Sequence, residues 1–517
     1  MRTIETDVVI VGTGFGAAAP ALRLSEAGFK VVMIEKGPRI EAPRDFRQTQ
    51  DPKYLLRYLK QLSGERISLT YAEGLGGGSG FYEMVSLRAP SLAFEQRDAQ
   101  GKRLWPAALN RGALDPYYAI AERMLNVEQI AIEEVPKTGL VFARMMKNLG
   151  YTCDRARYAV RGCVGSGFCV TGCIYGAKQS LHMNYLPKAE GVGARVITDL
   201  EATTIRTLCD VLRTPRSETL SNVPYRYEVL CRPTGKQQDW HRLKARLVIL
   251  AGGTVGTARL LLRSKEYLRR LSHEVGRNIA FNGGVKVAGL LPKTFPAGDM
   301  FTGRSHPGMI SYEFLESNGI TISAAKPLPL QAVAAARLKL DGDEQSPGHW
   351  GGPNVDLMKL YRKRVMVLVA FGLTRAGAEL TLSANAEPRL HLEFNDELRS
   401  YYVRVKVLLN SILQRNGCRL INTEFHRQGV PYKEVHFSTA HQVGSCRMAD
   451  SRMMGAADAA GEVFGYPGLY VTDGAAIPTS LAVNTSLTIL ANAERIAAIV
   501  LRRYPLAKQA ADLAASS

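Results

Sequence analysis

The sequence predicts an α/β fold in which a Rossmann-like dinucleotide-binding domain is joined to a second domain built on an antiparallel sheet with helices. Three observations lead to this fold class. Residues 8–35 read as strand, glycine turn, helix and strand; residues 246–265 repeat the strand–glycine–helix pattern; and residues 291–435 change to alternating apolar and polar positions. Parallel strands covered by helices produce the first two patterns, and a half-buried antiparallel sheet produces the third.

The unit at residues 8–35 contains each part of a dinucleotide-binding turn. Residues 8–11 form an apolar, β-branched run typical of a buried strand, and Gly12 and Gly14 follow it. These glycines allow a tight turn and let a phosphate approach the backbone. A helix comes next, and a second apolar strand at 31–34 ends on Glu35, which is placed to bind a ribose hydroxyl. The alternative is a glycine-rich loop in some other α/β unit.

A second glycine-rich segment, residues 74–80, is the densest glycine run in the chain. Glycines lose much conformational freedom when they are ordered, and apolar and aromatic residues flank this run on both sides. We therefore interpret the run as backbone against which a bound ligand lies, the alternative being a flexible linker. A helix is predicted just before it, near residues 54–62.

The middle of the chain supplies further elements of both domains. We predict a helix at 176–190, strands at 195–197, 202–208, 225–231 and 246–251, and a helix at 257–265. Alternating patterns at 365–373 and 380–394 predict an antiparallel sheet, followed by a helix at 398–415. An alanine-rich, frayed tail is predicted after residue 507.

Composition narrows the function classes. The 517 residues are 46% hydrophobic and 22% charged, which is ordinary for a globular enzyme. A net charge of +19 would favour anionic membranes or acidic substrates, but the basic residues are spread along the chain, so we expect a solvated surface. Nothing else supports peripheral membrane contact. No basic helix with interleaved aromatic residues indicates a nucleic-acid partner.

Targeting and disulfide signals are weak. The longest uncharged apolar run, residues 8–22, is too short and too glycine-rich to span a bilayer. Acidic residues precede it, unlike a signal peptide. We expect a cytoplasmic protein, and its eight cysteines do not indicate a disulfide scaffold.

A third constellation lies near the end of the chain. His441 opens the run His-Gln-Val-Gly-Ser-Cys-Arg, and Asp473-Gly474 follows a short predicted strand at 469–471. Asn484 is predicted to be the N-cap of a helix whose apolar residues recur at helical spacing. The N-terminus of such a helix suits a group that becomes anionic. On the alternative interpretation, His441 is one of nine histidines and Asn484 is only a cap.

With these residues in view, the chain resembles the glucose–methanol–choline (GMC) family of FAD oxidoreductases, and within it the bacterial cholesterol-oxidase branch. The resembling segments are residues 12–18 with Glu35, 76–79, 247–256, 275–278 and 441–494. The resemblance implies an FAD-binding domain made of residues 1–95, 176–290 and 436–510. It implies a substrate-binding domain of residues 96–175 and 291–435, with a flexible tail at 511–517.

The resemblance also implies roles for individual residues. Gly12, Gly14 and Glu35 would hold the pyrophosphate and ribose. Gly77, Gly78 and Ser79 would lie along the flavin, with Tyr82 beside the ring. Asp473-Gly474 and the helix after Asn484 would meet the ribityl chain and pyrimidine edge. His441 and Asn484 match the family's catalytic pair, and no metal site is implied. The residues implied to bind the cofactor are Gly12, Gly14, Phe15, Gly16, Glu35, Gly76, Gly77, Gly78, Ser79, Tyr82, Asp473, Gly474, Asn484, Thr485 and Ser486.

The implied reaction is oxidation of a primary or secondary alcohol, sterol-like or otherwise lipophilic, to a carbonyl compound. The flavin N5 would take the hydride. His441 would accept the hydroxyl proton, since an imidazole with a pKa of about 6.5 suits that role, and Asn484 would position the hydroxyl. The electrons would pass to O2 or to an unidentified carrier.

The sequence departs from sterol oxidases in the substrate domain. Those enzymes carry a carboxylate there that moves a proton during double-bond isomerisation. Residues 361–374, which align with it, contain Arg and Lys but no acid, and Asp356 and Glu379 are the nearest candidates. We therefore expect alcohol oxidation and leave isomerase activity open. Thr485 replaces a proline common after the catalytic Asn, which should change only how the helix begins.

Other functions remain open at this point. Cys163, Cys169 and Cys173 share a glycine-rich turn, where some GMC dehydrogenases carry a three-iron cluster; we favour small buried thiols instead. A lyase or photochemical enzyme would keep the FAD site without net redox change. An NAD-binding dehydrogenase would share residues 8–35 but would have no use for residues 76–79 or for the His441–Asn484 pair.

Overall fold

The computed structural model describes residues 1–212, 219–235, 239–326, 352–375, 377–421 and 435–506. Two large sheets organise these residues. The strands are β1 (Arg2–Val11), β2 (Val31–Ile34), β3 (Leu59–Ser63), β4 (Ile67–Ala72), β5 (Val127–Gln129), β6 (Asp154–Arg155), β7 (Arg157–Ala159), β8 (Arg195–Ile197), β9 (Leu200–Thr207), β10 (Tyr227–Pro233), β11 (His241–Leu250), β12 (Val285–Leu290), β13 (Met309–Ser311), β14 (Ile320–Ala325), β15 (Val365–Gly372), β16 (Ala378–Leu382), β17 (Pro388–Leu392), β18 (Arg419–Ile421), β19 (Phe437–Thr439) and β20 (Leu469–Val471).

Helices cover the sheets and fill the connections between them. In the described residues they are α1 (Phe15–Glu26), α2 (Arg44–Gln48), α3 (Pro52–Leu55), α4 (Ser91–Phe94), α5 (Arg111–Met124), α6 (Lys137–Asn148), α7 (Tyr185–Gly191), α8 (Gly253–Arg263), α9 (Leu315–Asn318), α10 (Gly352–Arg364), α11 (Asp396–Arg415) and α12 (Ser486–Arg503). Of these, none is both long enough and apolar enough to cross a bilayer.

The seven-stranded sheet forms the first layer, with strand order β8-β2-β1-β11-β10-β9 and β20 paired with β11. Residues 8–11 of β1 pair in parallel with 31–34 of β2 and 247–250 of β11. Residues 8–10 and 247–250 are completely buried, as expected for apolar strands covered on both faces. The predicted α/β unit is therefore confirmed, and its parallel strands end together at one edge of the sheet.

The six-stranded sheet is antiparallel, with order β18-β12-β15-β14-β13-β6. β12 begins at Val285, ahead of the boundary predicted at 291, and pairs along its whole length with β15. The predicted strands at 380–394 do not join this sheet. They form a separate hairpin of β16 and β17.

Two predicted helices differ from the structure. The helix predicted at 54–62 is wrong: α3 ends at Leu55, and β3 pairs antiparallel with β4. Pairing between strands overrides a local helical pattern here. The helix predicted at 176–190 begins only at Tyr185, where the Asn184 side chain caps the Tyr185 amide at 2.7 Å. The tail predicted at 511–517 lies outside the described residues.

Candidate active site

One cavity of about 550 Å³ opens where the parallel strands β1, β2 and β11 end. The carboxyl ends of parallel strands are the usual place for ligands in such sheets. The predicted residues that line it are Gly12, Gly14, Phe15, Gly16, Glu35, Gly77, Gly78, Tyr82, His441, Asp473, Gly474, Asn484, Thr485 and Ser486. Three remote parts of the chain therefore meet around a single space.

Two predicted residues, Gly76 and Ser79, are not among the lining residues. The Ser79 hydroxyl donates to the Gly76 carbonyl at 2.7 Å and accepts from the Leu181 amide at 3.1 Å. Ser79 is completely buried. These hydrogen bonds hold the glycine run in place, although Ser79 itself does not line the cavity.

The glycines of the wall fall into two kinds. A Cβ at Gly16 would lie 2.5 Å from the Asp473 Cα, and Gly12, with φ +100°, approaches the Ala251 carbonyl just as closely. These two glycines are needed for packing of the chain on itself. A Cβ at Gly14 or Gly78 would meet no protein atom within 4 Å. Those two glycines leave room for a ligand lying along the backbone.

Glu35 joins the first motif to the glycine run. Its Oε2 accepts from the Thr13 hydroxyl at 2.6 Å, and its Oε1 accepts from the amides of Gly37 and Gly74 at 3.0 and 3.1 Å. Burial raises the pKa of this carboxyl, while these hydrogen bonds oppose the rise. Sequence reasoning missed Thr13, whose hydroxyl also accepts from the Gly76 amide at 3.0 Å.

Asp473 performs the same joining role for the second strand–glycine–helix unit. Its Oδ2 accepts from the Gly253 amide at 2.7 Å and the Thr257 hydroxyl at 2.6 Å, and its Oδ1 accepts from the Ala475 amide at 2.8 Å. Burial raises the pKa of Asp473 to about 6. Gly253 and Gly256 also line the cavity; the sequence showed this unit but did not single them out.

His441 and Asn484 line the same cavity. The Asn484 amide nitrogen is 3.2 Å from the His441 Nε2, and the Phe371 ring packs edge-on against the imidazole with centroids 4.9 Å apart. The prediction that Asn484 caps α12 is wrong. Thr485 occupies the N-cap position and makes no side-chain cap bond, because the Asn484 amide faces His441 instead.

Asn282, which sequence reasoning missed, determines how His441 is protonated. Its Oδ1 accepts from the Leu481 amide at 3.0 Å, and its Nδ2 donates to the Val483 carbonyl at 2.7 Å, which fixes the orientation of the amide. The same Nδ2 lies 3.1 Å from the His441 Nδ1. An amide N–H facing Nδ1 requires a lone pair there, so the neutral ring carries its proton on Nε2.

His441 stays neutral near pH 7. Burial, with a smaller contribution from the charge of Lys286, lowers its pKa to about 4. The imidazole therefore presents an Nε2–H to the cavity. Flipping the Asn484 side-chain amide exchanges its oxygen and nitrogen, and the oxygen then accepts a hydrogen bond from this Nε2–H.

Comparison with known proteins identifies the family. The family model described as GMC oxidoreductase matches residues 6–281 with its N-terminal part and residues 416–493 with its C-terminal part. The chain belongs to the GMC oxidoreductase family. This GMC oxidoreductase is FAD-dependent and acts on CH–OH groups.

Individual relatives agree with the family. This GMC oxidoreductase is 26% identical to a cholesterol oxidase of Mycobacterium tuberculosis (strain CDC 1551 / Oshkosh), over 96% of this chain and 91% of that protein. It is 24% identical to a long-chain-alcohol oxidase of Arabidopsis thaliana, over 95% of this chain and 67% of that protein.

Solved structures share the fold at lower identity. Formate oxidase of Aspergillus oryzae RIB40 superposes with a TM-score of 0.68 at 14% identity, covering 97% of this chain and 99% of that chain. Pyridoxine 4-oxidase of Mesorbium loti superposes with a TM-score of 0.67 at 15% identity, covering 96% and 99%.

The residues present fit FAD. The open cradle at Gly14 and Gly78 would take its extended body, and first-turn amides of α1 would face its phosphates. Among the described residues, the buried Tyr82 hydroxyl and Gln442 Oε1 have no hydrogen-bond partner although both residues line the cavity. Such buried polar atoms are expected to meet a ligand.

The GMC oxidoreductase carries one cavity carboxylate that the sequence did not reveal as such. Glu35 and Asp473 are fully hydrogen-bonded, Glu73 is held by Lys36 and Glu201 by Arg232, each at 2.6 Å. Glu83 is the remaining lining carboxylate. Burial raises its pKa, while Ser305 and nearby lysine charges oppose the rise. The acids suggested by sequence, Asp356 and Glu379, do not line the cavity.

The cysteine turn of this GMC oxidoreductase gives the iron–sulfur alternative no support. All three thiols are free, and the described residues contain no group of three His, Cys, Asp or Glu side chains placed to hold a metal. The Cys169 thiol accepts from the Ser305 amide at 3.5 Å, and burial raises its pKa. A buried thiol of this kind is unreactive.

Proposed function

We propose that the protein oxidises a primary or secondary lipophilic alcohol to the carbonyl compound, with the hydroxyl bound between His441 and Asn484. One observation carries the proposal: these two polar side chains meet at 3.2 Å in the wall of the cavity that the glycine cradle also lines. The names of the relatives, cholesterol oxidase and long-chain-alcohol oxidase, support a lipophilic substrate.

Bound FAD would supply the acceptor for the hydride that leaves the alcohol carbon. The protein residues then have two tasks, which are to orient the C–H bond and to manage the hydroxyl proton. Asn484 and His441 would each hydrogen-bond the hydroxyl oxygen and so fix the carbon in front of the cofactor. Phe371 would limit rotation of the imidazole from the side.

The protonation of His441 argues for a donor in place of the base predicted from sequence. Because Asn282 donates to Nδ1, the neutral imidazole has no lone pair on Nε2. Its Nε2–H would instead donate to the substrate oxygen and stabilise the negative charge that develops there as the hydroxyl proton leaves, before the hydride carries that charge away. The hydroxyl proton then needs another acceptor.

Glu83 is our candidate for that acceptor. It lines the same cavity, and burial raises its pKa toward the range useful for proton transfer. The O–H proton would pass to the Glu83 carboxylate while the C–H hydride leaves, and the carbon–oxygen double bond would form. We propose O2 as the electron acceptor, since the relatives named above are oxidases.

The test is anaerobic bleaching of the flavin by lipophilic alcohols, followed by admission of oxygen and measurement of peroxide. We expect His441→Ala and Glu83→Gln to slow bleaching by about a hundredfold or more while FAD stays bound. His391→Ala and Glu379→Gln, which alter residues outside the cavity lining, are matched controls and should bleach at the wild-type rate.

Three results would contradict parts of this proposal. If the flavin of His441→Ala is bleached at the wild-type rate, the proposed role of His441 is wrong. If the flavin of Glu83→Gln is bleached at the wild-type rate, the proposed role of Glu83 is wrong. If no alcohol bleaches the wild-type flavin, alcohol oxidation is contradicted, and the lyase or photochemical alternative on this fold is favoured.

A further inference from the structure

The six-stranded sheet turns one face toward His441. Phe371 of β15 contacts the imidazole, and Val369, two residues earlier, points to the same face because side chains alternate along a strand. Lys286 of β12 pairs directly with Val369, and Ser323 of β14 pairs with it from the other side. Directly opposed residues in an antiparallel pair share a face. Lys286 is therefore on the face of the sheet that contacts His441.

Lys286 is not among the residues that line the cavity, and the space between it, His441 and Glu83 is here called the chamber. Its side chain is exposed in surface area, yet enclosure by protein lowers its pKa. The side chain is thus partly accessible, while the protein packed around its ammonium disfavours the charged form. The chamber adjoins both site residues named above, since the charge of Lys286 acts on the pKa of His441 and on that of Glu83.

Positive charge is in excess in this chamber. Lys178, Lys286 and Lys326 all act electrostatically on one carboxylate, Glu83. The neighbouring Arg304 is already paired with a surface acid, Glu134, at 2.7 Å.

Two of the three lysines have their hydrogen bonds satisfied by the backbone. The Lys178 ammonium donates to the carbonyls of Gly80 and Cys169 at 2.6 Å, and Lys326 donates to the Thr302 carbonyl. Lys286 differs: within the described ranges its ammonium has no hydrogen-bond acceptor, and no carboxylate oxygen lies within 4 Å of it. An enclosed ammonium without a partner is costly and gains strongly from an anion.

We propose that Lys286 binds an anionic group, a carboxylate or a phosphate, carried by the alcohol substrate. This inference rests on the proposed function and narrows its substrate class. The hydroxyl would lie between His441 and Asn484, and the anionic group would reach the sheet face at Lys286, with Ser323 beside it. A neutral sterol would leave the Lys286 ammonium with no hydrogen-bonded anion and only the more distant charge of Glu83.

The first experiment compares matched substrates. A short series of hydroxy acids and hydroxyalkyl phosphates is tested against the alkanols of the same chain length, by kcat/KM at pH 8, where His441 is neutral. We expect at least one anionic member to exceed its neutral counterpart by about tenfold or more, the size of a charge-assisted hydrogen bond. The series with the higher kcat/KM, hydroxy acids or hydroxyalkyl phosphates, identifies whether the anionic group is a carboxylate or a phosphate.

The variant Lys286→Met should lower the ratio of anionic to neutral kcat/KM by about tenfold or more, mainly through KM. Lys293→Met, which removes an exposed lysine just after β12, should leave the ratio unchanged. Equal losses on both substrate classes in Lys286→Met would show that Lys286 acts on the reaction itself, and would overturn the proposal. A wild-type preference for the alkanols would also overturn it.

Binding is measured separately so that the inference does not depend on turnover. Non-reactive carboxylates and inorganic phosphate are titrated into the oxidised holoenzyme, and the flavin absorbance is followed at two salt concentrations. We expect saturable, salt-sensitive binding that is lost in Lys286→Met. If no alcohol bleaches the flavin but this binding is found, the proposed function fails and the anion site stands. Absence of binding overturns the anion site.

Discussion

Substituting Asn282 by Asp tests how His441 works. In the native protein the Asn282 amide donates to Nδ1, which keeps the imidazole proton on Nε2. Asn282→Asp replaces that donor with a carboxylate 3.1 Å from Nδ1. At an effective dielectric constant of about 20, the attraction to a cationic ring is about 5 kcal/mol. Part of it is lost in enclosing the new charge, so the usual rise is about 1–3 pKa units.

The expected consequence is an inverted dependence on pH. The His441 pKa should rise from about 4 to about 6. Below this value the ring is cationic and keeps its Nε2–H donor. Above it, the remaining proton belongs on Nδ1, facing the carboxylate, and Nε2 is left with a lone pair. Loss of one donor to a developing oxyanion costs about a hundredfold or more.

The assay is stopped-flow flavin reduction under anaerobic conditions, reported as the ratio of variant to wild-type rate constant at each pH. The ratio cancels the titration of Glu83, which both proteins share. We expect it to fall by about a hundredfold between pH 5 and pH 8. A ratio that rises with pH would show that His441 acts as a base at Nε2, and a flat ratio would show that residue 282 does not set the tautomer.

Two controls separate this effect from misfolding. Asn184→Asp changes another buried asparagine, outside the cavity lining, and should show a flat ratio. FAD content and thermal unfolding of Asn282→Asp should be measured at both ends of the pH range, since the variant loses its bond to the Val483 carbonyl.

Three further expectations follow from other parts of the structure. Gly78→Ala should weaken FAD binding by about tenfold or more with little change in apoprotein stability, because its Cβ would enter the cavity and meet no protein atom within 4 Å. Gly16→Ala, whose Cβ meets backbone at 2.5 Å, should instead destabilise the apoprotein by about 1–3 kcal/mol. If the two variants give the same FAD affinity and the same apoprotein stability, both expectations are contradicted. Burial lowers the pKa of His182 to about 4 in the folded protein. As the pH falls below about 6.5, the unfolded chain therefore protonates His182 before the folded protein does, and the protein loses up to about 3 kcal/mol of stability by about pH 4. His182→Phe should flatten the wild-type urea-unfolding profile between pH 6.5 and 4, and an unaltered slope would refute the assignment. Glu494→Gln breaks the paired bonds that a buried carboxylate accepts from Arg23 at 2.9 and 3.0 Å, and should cost about 2 kcal/mol after allowance for the partly exposed guanidinium; a change in melting temperature within error would contradict it.

Local patterns were enough to predict the parallel unit. Residues 8–11 and 31–34 are apolar and mostly β-branched, and the turn after the first strand depends on glycine, so short-range physics determines both. The same holds for α11, which begins at the Asn395 cap and repeats apolar residues at helical spacing. Such elements carry their own boundaries in the sequence.

The parts that the sequence did not reveal depend on contacts between distant segments. Asn282 and Glu83 are single polar residues without a motif, and their significance comes from which side chains the fold brings beside them. No sequence pattern singles out Lys286, and its position follows only from the register of the sheet, which places it opposite Val369. The helix expected near residue 54 failed for the same reason, because β3 is stabilised by its partner strand.

Asp473 contacts two segments that lie far before it in the sequence, and this has a consequence for biosynthesis. Residues 12–16 leave the ribosome early, but the loop that packs on Gly16 and holds Gly253 comes more than four hundred residues later. Loop closure over that length has to precede a complete cradle. If residues 12–16 and the loop at Asp473 hold FAD as proposed, the nascent chain would present an incomplete site, and stable loading would await release of the later segment. Cofactor binding would then be a late step that stabilises the contact between these two distant segments.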